Sequence, residues 1–132
     1  MLVTEVKKAR PVKIAVVDDD ESVRDSLLEL FESVGYEAAT FSSAEEFLKW
    51  NHLDQFVCLI LDVRLPGMSG PELYRKLKKI DRSVPTVFIT AHVDGSVESR
   101  ILAQGAEAFL YKPFKPDALL DSVRTAVARS RL

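Results

Sequence analysis

Several features that mark other classes of protein are missing from this sequence of 132 residues. Its longest apolar runs, such as residues 56–61, are far shorter than the roughly 18 to 20 residues that cross a bilayer. Lysine and arginine number 18 and aspartate and glutamate 20, for a formal net charge of -2. No overall basic field draws the chain to nucleic acid or to an anionic membrane. We expect neither a membrane span nor direct nucleic-acid binding by this chain.

Cysteine is also scarce. Cys58 is the single one, and it lies in an apolar run, so it is predicted to be a small buried hydrophobe. Residues 1–11 include Lys7, Lys8 and Arg10 but no apolar segment with a small-residue cleavage site. They are predicted to form a short N-terminal leader, followed by one domain over residues 12–132. Together these features fit the reducing cytoplasm.

Glycine patterns that cradle nucleotides are missing too. Neither Gly-x-Gly-x-x-Gly nor Gly-x-x-x-x-Gly-Lys occurs, which argues against dinucleotide or ATP binding. Apolar residues make up 47% of the chain and charged residues of both signs 29%, which is typical of a globular domain.

Five short apolar runs alternate with segments of helical period, which predicts an α/β fold with a doubly wound parallel sheet. The predicted strands cover residues 12–17, 36–40, 57–61, 85–89 and 109–111. The predicted helices run from the N-cap Asp20 to the stop at Gly35, over residues 43–50, 71–80 and 95–104, and from Pro116 onward. Ser43 and Glu46 suggest a capping box for the second helix.

Polar residues collect where these strands end. Asp18 and Asp19 follow the first strand, Asp62 the third, Thr90 the fourth and Lys112 the fifth. The carboxyl ends of parallel strands share one edge of the sheet, which is where such folds place their ligands.

The three carboxylates of this edge would repel one another by about 3 kcal/mol per pair at about 5 Å and an effective dielectric constant of about 20. Mg²⁺ and Lys112 would offset that repulsion. Asp62 stands alone on the central strand and is the best candidate to attack phosphorus, whereas the adjacent Asp18 and Asp19 suit metal binding. Thr90 can donate a hydrogen bond to a phosphoryl oxygen.

Each residue also has a simpler interpretation. Residues 18–20 fit an exposed helix N-cap, Asp62 a loop acid, Thr90 an ordinary strand end and Lys112 a solvated lysine. The coincidence of all of them at four strand ends favours a shared site.

Four segments, residues 16–19, 61–70, 89–91 and 112–114, resemble the receiver domain of bacterial two-component response regulators, closest to FixJ-like receivers. The resemblance covers residues 12–129. It implies a flavodoxin-like (βα)5 fold with strand order 2-1-3-4-5.

The resemblance also implies the roles of the site residues. Asp62 would be the phosphoacceptor. Mg²⁺ would be held by Asp18, Asp19, Asp62 and the backbone carbonyl of Arg64. Thr90 and Lys112 would contact the phosphoryl oxygens. After phosphorylation Thr90 would move toward the phosphoryl group and Phe109 would change rotamer, although a permanently buried Phe109 is the alternative. The side chains of Arg64 and His92 border the phosphoryl group in the family and would tune its hydrolysis; an exposed loop histidine is the alternative for His92.

The function implied is a phosphorylation-dependent signalling switch rather than an enzyme for other substrates. It would accept a phosphoryl group from a sensor histidine kinase or phosphotransfer protein and later release it by autodephosphorylation. Phosphorylation would change the surface formed by helix 4, strand 5 and helix 5. This surface would then control an output domain or a partner protein, or form a homodimer, in transcription regulation. The alternatives are a phosphohydrolase of the haloacid-dehalogenase type, which also uses aspartate and Mg²⁺, and a degenerate receiver that only binds.

Overall fold

The computed structural model describes residues 12–130, so the leader predicted for residues 1–11 lies outside the described residues. The five strands are β1 Lys13–Val17, β2 Glu37–Phe41, β3 Cys58–Asp62, β4 Thr86–Thr90 and β5 Ala108–Tyr111. The five α-helices are α1 Glu21–Ser33, α2 Ala44–Leu48, α3 Gly70–Lys79, α4 Gly95–Ala103 and α5 Pro116–Ser130. Within residues 12–130, none of these helices has both the length and the apolarity that crossing a membrane requires.

All five strands are parallel and follow the order β2-β1-β3-β4-β5, which confirms the predicted topology. The register pairs Val17 with Leu61, and Asp62 with Ile89. The carboxyl ends of the three central strands therefore lie side by side.

Side chains alternate between the two faces of the sheet and build a core on each. On β1, Ala15 and Val17 pack toward α2, α3 and α4, whereas Ile14 and Val16 pack toward α1 and α5. Every residue of β3 is buried, as expected of a central strand covered on both faces. Cys58 is a free, buried cysteine, in agreement with the prediction.

The helix boundaries follow local capping chemistry. Asp20 accepts a hydrogen bond from the backbone N–H of Ser22 at 2.9 Å, and Gly35 with φ +87° follows the end of α1. Ser43 caps α2, but Glu46 bonds the backbone N–H of Ser42 rather than that of Ser43. The predicted capping box is therefore only half formed.

A complete capping box instead begins α3, where Ser69 and Glu72 bond each other's backbone N–H groups. This capping box was not predicted from the sequence. Helix α2 ends at Leu48, two residues earlier than predicted, and a short 3-10 helix at Leu53–Gln55 follows. The indole of Trp50 lies edge-on to Phe41 at 5.4 Å between ring centroids.

Strands β2, β3 and β4 each begin and end one residue later than predicted. Asp62 and Thr90 are therefore the last residues of their strands rather than the residues after them. The backbone pairing continues past these positions, because Val63 N–H donates to the Ile89 carbonyl at 3.0 Å and Lys112 N–H to the Thr90 carbonyl at 2.7 Å. The backbone at both positions is therefore held within the hydrogen-bonded sheet.

Gly70 is predicted to be essential to this edge of the sheet. A Cβ at this position would lie 2.1 Å from the backbone oxygen of Asp62, so G70A should lower the free energy of unfolding by about 1 to 3 kcal/mol. The matched control is G95A, because a Cβ on Gly95 would meet no atom within 4 Å. Urea denaturation of both variants checks this; equal stabilities would contradict the close contact.

Candidate functional site

The fold brings together the acidic and basic side chains that the sequence analysis placed at the strand ends. Asp18, Asp19 and Asp62 each offer a carboxylate oxygen, and these oxygens lie within 4.8 Å of one another. Lys112 Nζ lies 2.8 Å from Asp18 Oδ2 and 3.2 Å from Asp62 Oδ2. One ammonium group therefore bridges the carboxylate that follows β1 and the one that ends β3.

Asp18 and Asp19 are neighbours in sequence but differ in environment. Asp18 is fully buried; its Oδ1 accepts from the backbone N–H of Asp20 at 2.9 Å, and its Oδ2 contacts Lys112. The carbonyl of Asp18 also accepts a hydrogen bond from Arg24 Nη1 at 2.8 Å. Asp19 is exposed, so its carboxylate remains the more accessible of the two.

Asp62 is only 6% exposed, at the end of a wholly buried strand. Its Oδ1 accepts from the backbone N–H of Arg64 at 3.1 Å. Burial, and secondly the charge of Asp18, raise the pKa of Asp62 to about 6, while Lys112 and the Arg64 N–H oppose the rise. The carboxyl group is thus ionised at neutral pH but is close to the range in which it takes up a proton.

Lys112 stays charged in this environment. Burial lowers its pKa, but hydrogen bonds and charge attraction from Asp18 and Asp62 outweigh burial, so the net shift of the Lys112 pKa is upward. The lysine therefore provides a permanent positive charge between the two acids.

Thr90 and His92 meet at the end of β4. The hydroxyl oxygen of Thr90, 1% exposed, accepts a hydrogen bond from the backbone N–H of His92 at 3.1 Å. Among residues 12–130 the Thr90 hydroxyl proton has no acceptor, so it can be donated to an incoming oxygen. The side chains of His92 and Arg64 are both exposed.

Phe109 packs in the core in this structure. Its ring stacks on Phe88 at 6.3 Å between centroids and lies 5.4 Å from the ring of Tyr111. The hydroxyl of Tyr111 donates to Glu98 Oε1 on α4 at 2.6 Å. The rotamer change of Phe109 stays a prediction, and the Tyr111–Glu98 contact shows how β5 is linked to α4.

Two further positioning residues escaped the sequence analysis. Glu45 Oε2 on α2 accepts from the backbone N–H of Met68 at 2.8 Å and so holds the loop between β3 and α3. Arg24 on α1 holds the backbone of Asp18. Neither contact has a local sequence signature, because 23 and six residues separate the partners.

The donor set fits a hard divalent cation. Three carboxylates converge and a single lysine contacts two of them, so excess negative charge remains. Oxygen ligands on one exposed and two buried carboxylates suit Mg²⁺, which binds through few protein carboxylates and keeps waters. The cluster at Asp18, Asp19 and Asp62 therefore has the ligand chemistry of a magnesium site.

The raised pKa of Asp62 predicts a pH-dependent stability. The folded state binds the Asp62 proton more tightly than the unfolded state does, so the free energy of unfolding falls as pH rises from about 4 through about 6. Without divalent cations, D62N should therefore be more stable than the wild type by about 1 to 3 kcal/mol at pH 7.5, with the difference vanishing near pH 4. Chemical denaturation at both pH values measures this. A variant less stable than the wild type at pH 7.5 would contradict the repulsion.

Comparison with known proteins supports one family. Residues 14–124 match the model of the response regulator receiver domain. Nodulation protein W of Bradyrhizobium diazoefficiens is 45% identical over 118 residues, which cover 89% of this chain and 52% of the relative. Response regulator protein TmoT of Ectopseudomonas mendocina is 41% identical over 116 residues, with coverage of 86% and 52%. The chain thus spans about half the length of the curated relatives it matches.

Solved structures of similar fold point to the same family as the sequence relatives. The response regulator StyR has a TM-score of 0.85 at 45% identity, covering 93% of this chain and 62% of the other. FixJ-N has a TM-score of 0.79 at 30% identity, with coverage of 91% and 96%. With the family model, the relatives and the fold in agreement, this chain belongs to the response regulator receiver domains of two-component signalling.

Proposed function

We propose that this receiver is a phosphorylation switch whose phosphoacceptor is Asp62, with a sensor histidine kinase or a phosphotransfer protein as the donor. The observation that carries this is the Lys112 bridge, which holds Asp62 beside Asp18 at the carboxyl edge of the sheet. In this role the chain catalyses only its own phosphorylation and dephosphorylation, and it acts in the cytoplasm.

In the proposed transfer, a carboxylate oxygen of Asp62 attacks phosphorus and the phosphorus–nitrogen bond of the donor phosphohistidine breaks. The donor imidazole leaves with the electron pair of that bond. Lys112 Nζ, already 3.2 Å from Asp62 Oδ2, offsets charge on the phosphoryl oxygens. Mg²⁺, held by Asp18, Asp19, Asp62 and the backbone carbonyl of Arg64, would supply further charge neutralisation there.

The phosphoryl group brings about two negative charges and several acceptor oxygens to the edge. Thr90 offers its free hydroxyl proton to one of them. Its movement would open space beside β4 and β5, into which Phe109 turns. Because Tyr111 contacts both Phe109 and Glu98, this change would reach α4. The surface of α4, β5 and α5 would then bind an output domain, a partner protein or a second copy of this chain.

The relatives support an output in transcription regulation, since one of them, 37% identical over 118 residues, is the transcriptional regulatory protein TdiR of Thauera aromatica. We propose the same kind of output here. The exposed side chains of Arg64 and His92 flank the Asp62 and Thr90 positions, where they would tune the access of water and thereby the lifetime of the phosphorylated state.

The main alternative, a phosphohydrolase of the haloacid-dehalogenase type, is less well supported. Such enzymes carry an Asp-x-Asp motif on the first strand and a cap insertion. Here Asp18 and Asp19 are adjacent, and across residues 12–130 the elements are joined by short connections. The degenerate, binding-only receiver is also disfavoured, because Lys112 contacts both Asp18 and Asp62 and its backbone pairs with that of Thr90.

The phosphorylation test uses acetyl phosphate and Mg²⁺. Wild-type protein should gain one phosphate by intact mass spectrometry, and D62N should gain none, because the attacking oxygen is gone. The matched control D54N, at an exposed acid in the 3-10 helix, should label like the wild type. Undiminished labelling of D62N would overturn the assignment of Asp62. Multiple turnover of p-nitrophenyl phosphate would favour the phosphohydrolase instead.

Metal binding gives an independent prediction. Mg²⁺ at ten times its dissociation constant should raise the free energy of unfolding at pH 7.5 by about 1.4 kcal/mol. The gain should shrink at pH 5, because Asp62 with a pKa of about 6 is then mostly protonated. D19N should lose most of the gain and D54N should keep it. Thermal or urea denaturation with and without Mg²⁺ distinguishes these outcomes; a full gain in D19N would exclude Asp19 as a ligand.

A further inference from the structure

A cavity of about 460 Å³ lies between α4 and the segment that joins β3 to α3. Its apolar wall includes Val63 and Leu65 from that segment and Val97 and Ile101 from α4. The volume falls in the range of small-molecule sites, which are mostly apolar with a few polar groups. None of Asp18, Asp62 and Lys112 lines this cavity, although it adjoins their cluster through Arg64.

The polar part of the cavity is strongly basic. Arg64, Arg75 and Arg100 reach it from the β3–α3 segment, α3 and α4, and the lining includes no acidic residue. Among residues 12–130, none of the three guanidinium groups makes an ion pair or a hydrogen bond to a carboxylate. By contrast, Arg124 and Arg129 are each paired with an acid. Arg75 and Arg100 feel only the longer-range attraction of Glu72 and Asp94, so the hydrogen-bond donors of all three guanidinium groups stay available beside the apolar wall. Such a lining is complementary to an anion on an apolar body.

We propose that this cavity binds a small organic carboxylate with an apolar body. The planar guanidinium fork pairs with both oxygens of a carboxylate, which is stronger than a bond between neutral groups. The apolar body would cover the side chains of Val63, Leu65 and Ile101.

The position of the cavity gives such a ligand a regulatory effect, and this second step rests on the proposed function. The backbone N–H of Arg64 donates to Asp62 Oδ1 at 3.1 Å, and Arg64 lines the cavity together with Arg100 of α4. A bound carboxylate would therefore tie the phosphoacceptor segment to α4 in its unphosphorylated arrangement. Coupling between two sites is reciprocal. If phosphorylation moves α4 and lowers the affinity for the ligand by some factor, the bound ligand should lower the equilibrium constant of phosphorylation by the same factor.

The binding test uses 2-naphthoate and its uncharged counterpart 2-naphthamide, titrated into unphosphorylated protein and followed by amide chemical shifts. We expect 2-naphthoate to bind with a dissociation constant of about 1 mM or tighter and to shift residues of α4 and the β3–α3 segment. R75Q and R100Q should each weaken binding about ten-fold, since each removes a charge-assisted contact. R82Q, an exposed arginine outside the cavity, is the matched control and should bind like the wild type.

Equal binding of the amide, unchanged affinity in R75Q and R100Q, or an equal loss in R82Q would each overturn the site. The same titration with D62N separates the two proposals, because this variant lacks the phosphoacceptor but keeps the cavity. Equal affinity of D62N and wild type supports the cavity as a binding site even if the assignment of Asp62 as the phosphoacceptor proves wrong. Equal affinity before and after acetyl phosphate treatment, in protein shown by mass to be phosphorylated, would overturn the coupling alone.

Discussion

The bridge from Lys112 to Asp18 and Asp62 is the interaction on which the functional edge depends. Two buried carboxylates at the ends of neighbouring strands repel each other, and a buried charge without a partner is strongly destabilising. The lysine directly follows β5, 94 residues after Asp18 and 50 after Asp62. The three groups come into contact because β1 lies next to β3, β4 lies next to β3, and β5 lies next to β4 in the parallel sheet.

The bridge leaves an excess of negative charge, and the chemistry of the site follows from that excess. Burial and the charge of Asp18 raise the pKa of Asp62 to about 6 even with Lys112 in place. A further cation is therefore attracted to the cluster, where the exposed Asp19 offers it an open ligand. The charge imbalance that costs stability in the free protein is thus the property that suits the cluster to a divalent cation, and the charge of that cation would offset the charge of the proposed phosphoryl group.

Local patterns were sufficient to predict most of the fold. The five apolar runs, the N-caps Asp20 and Ser43 and the stop at Gly35 depend on neighbours within a few residues. The errors concern the ends of strands and helices, because residues distant in sequence determine where these elements stop. Strand β3 extends to Asp62 because the pairing with β4 continues, and α2 stops before Trp50, whose ring packs on Phe41. Such errors cannot be avoided by reading one segment at a time.

The sequence by itself determined which reactive groups exist and that they share one edge of the sheet, because periodicity and strand ends are encoded locally. The tertiary structure decided their environments. It buried Asp18, left Asp19 exposed and placed Lys112 between two acids. It also brought Gly70 into close contact with the Asp62 backbone. Burial and distances of a few ångströms between remote segments set charge energies and steric contacts, and these arise only when the segments pack together.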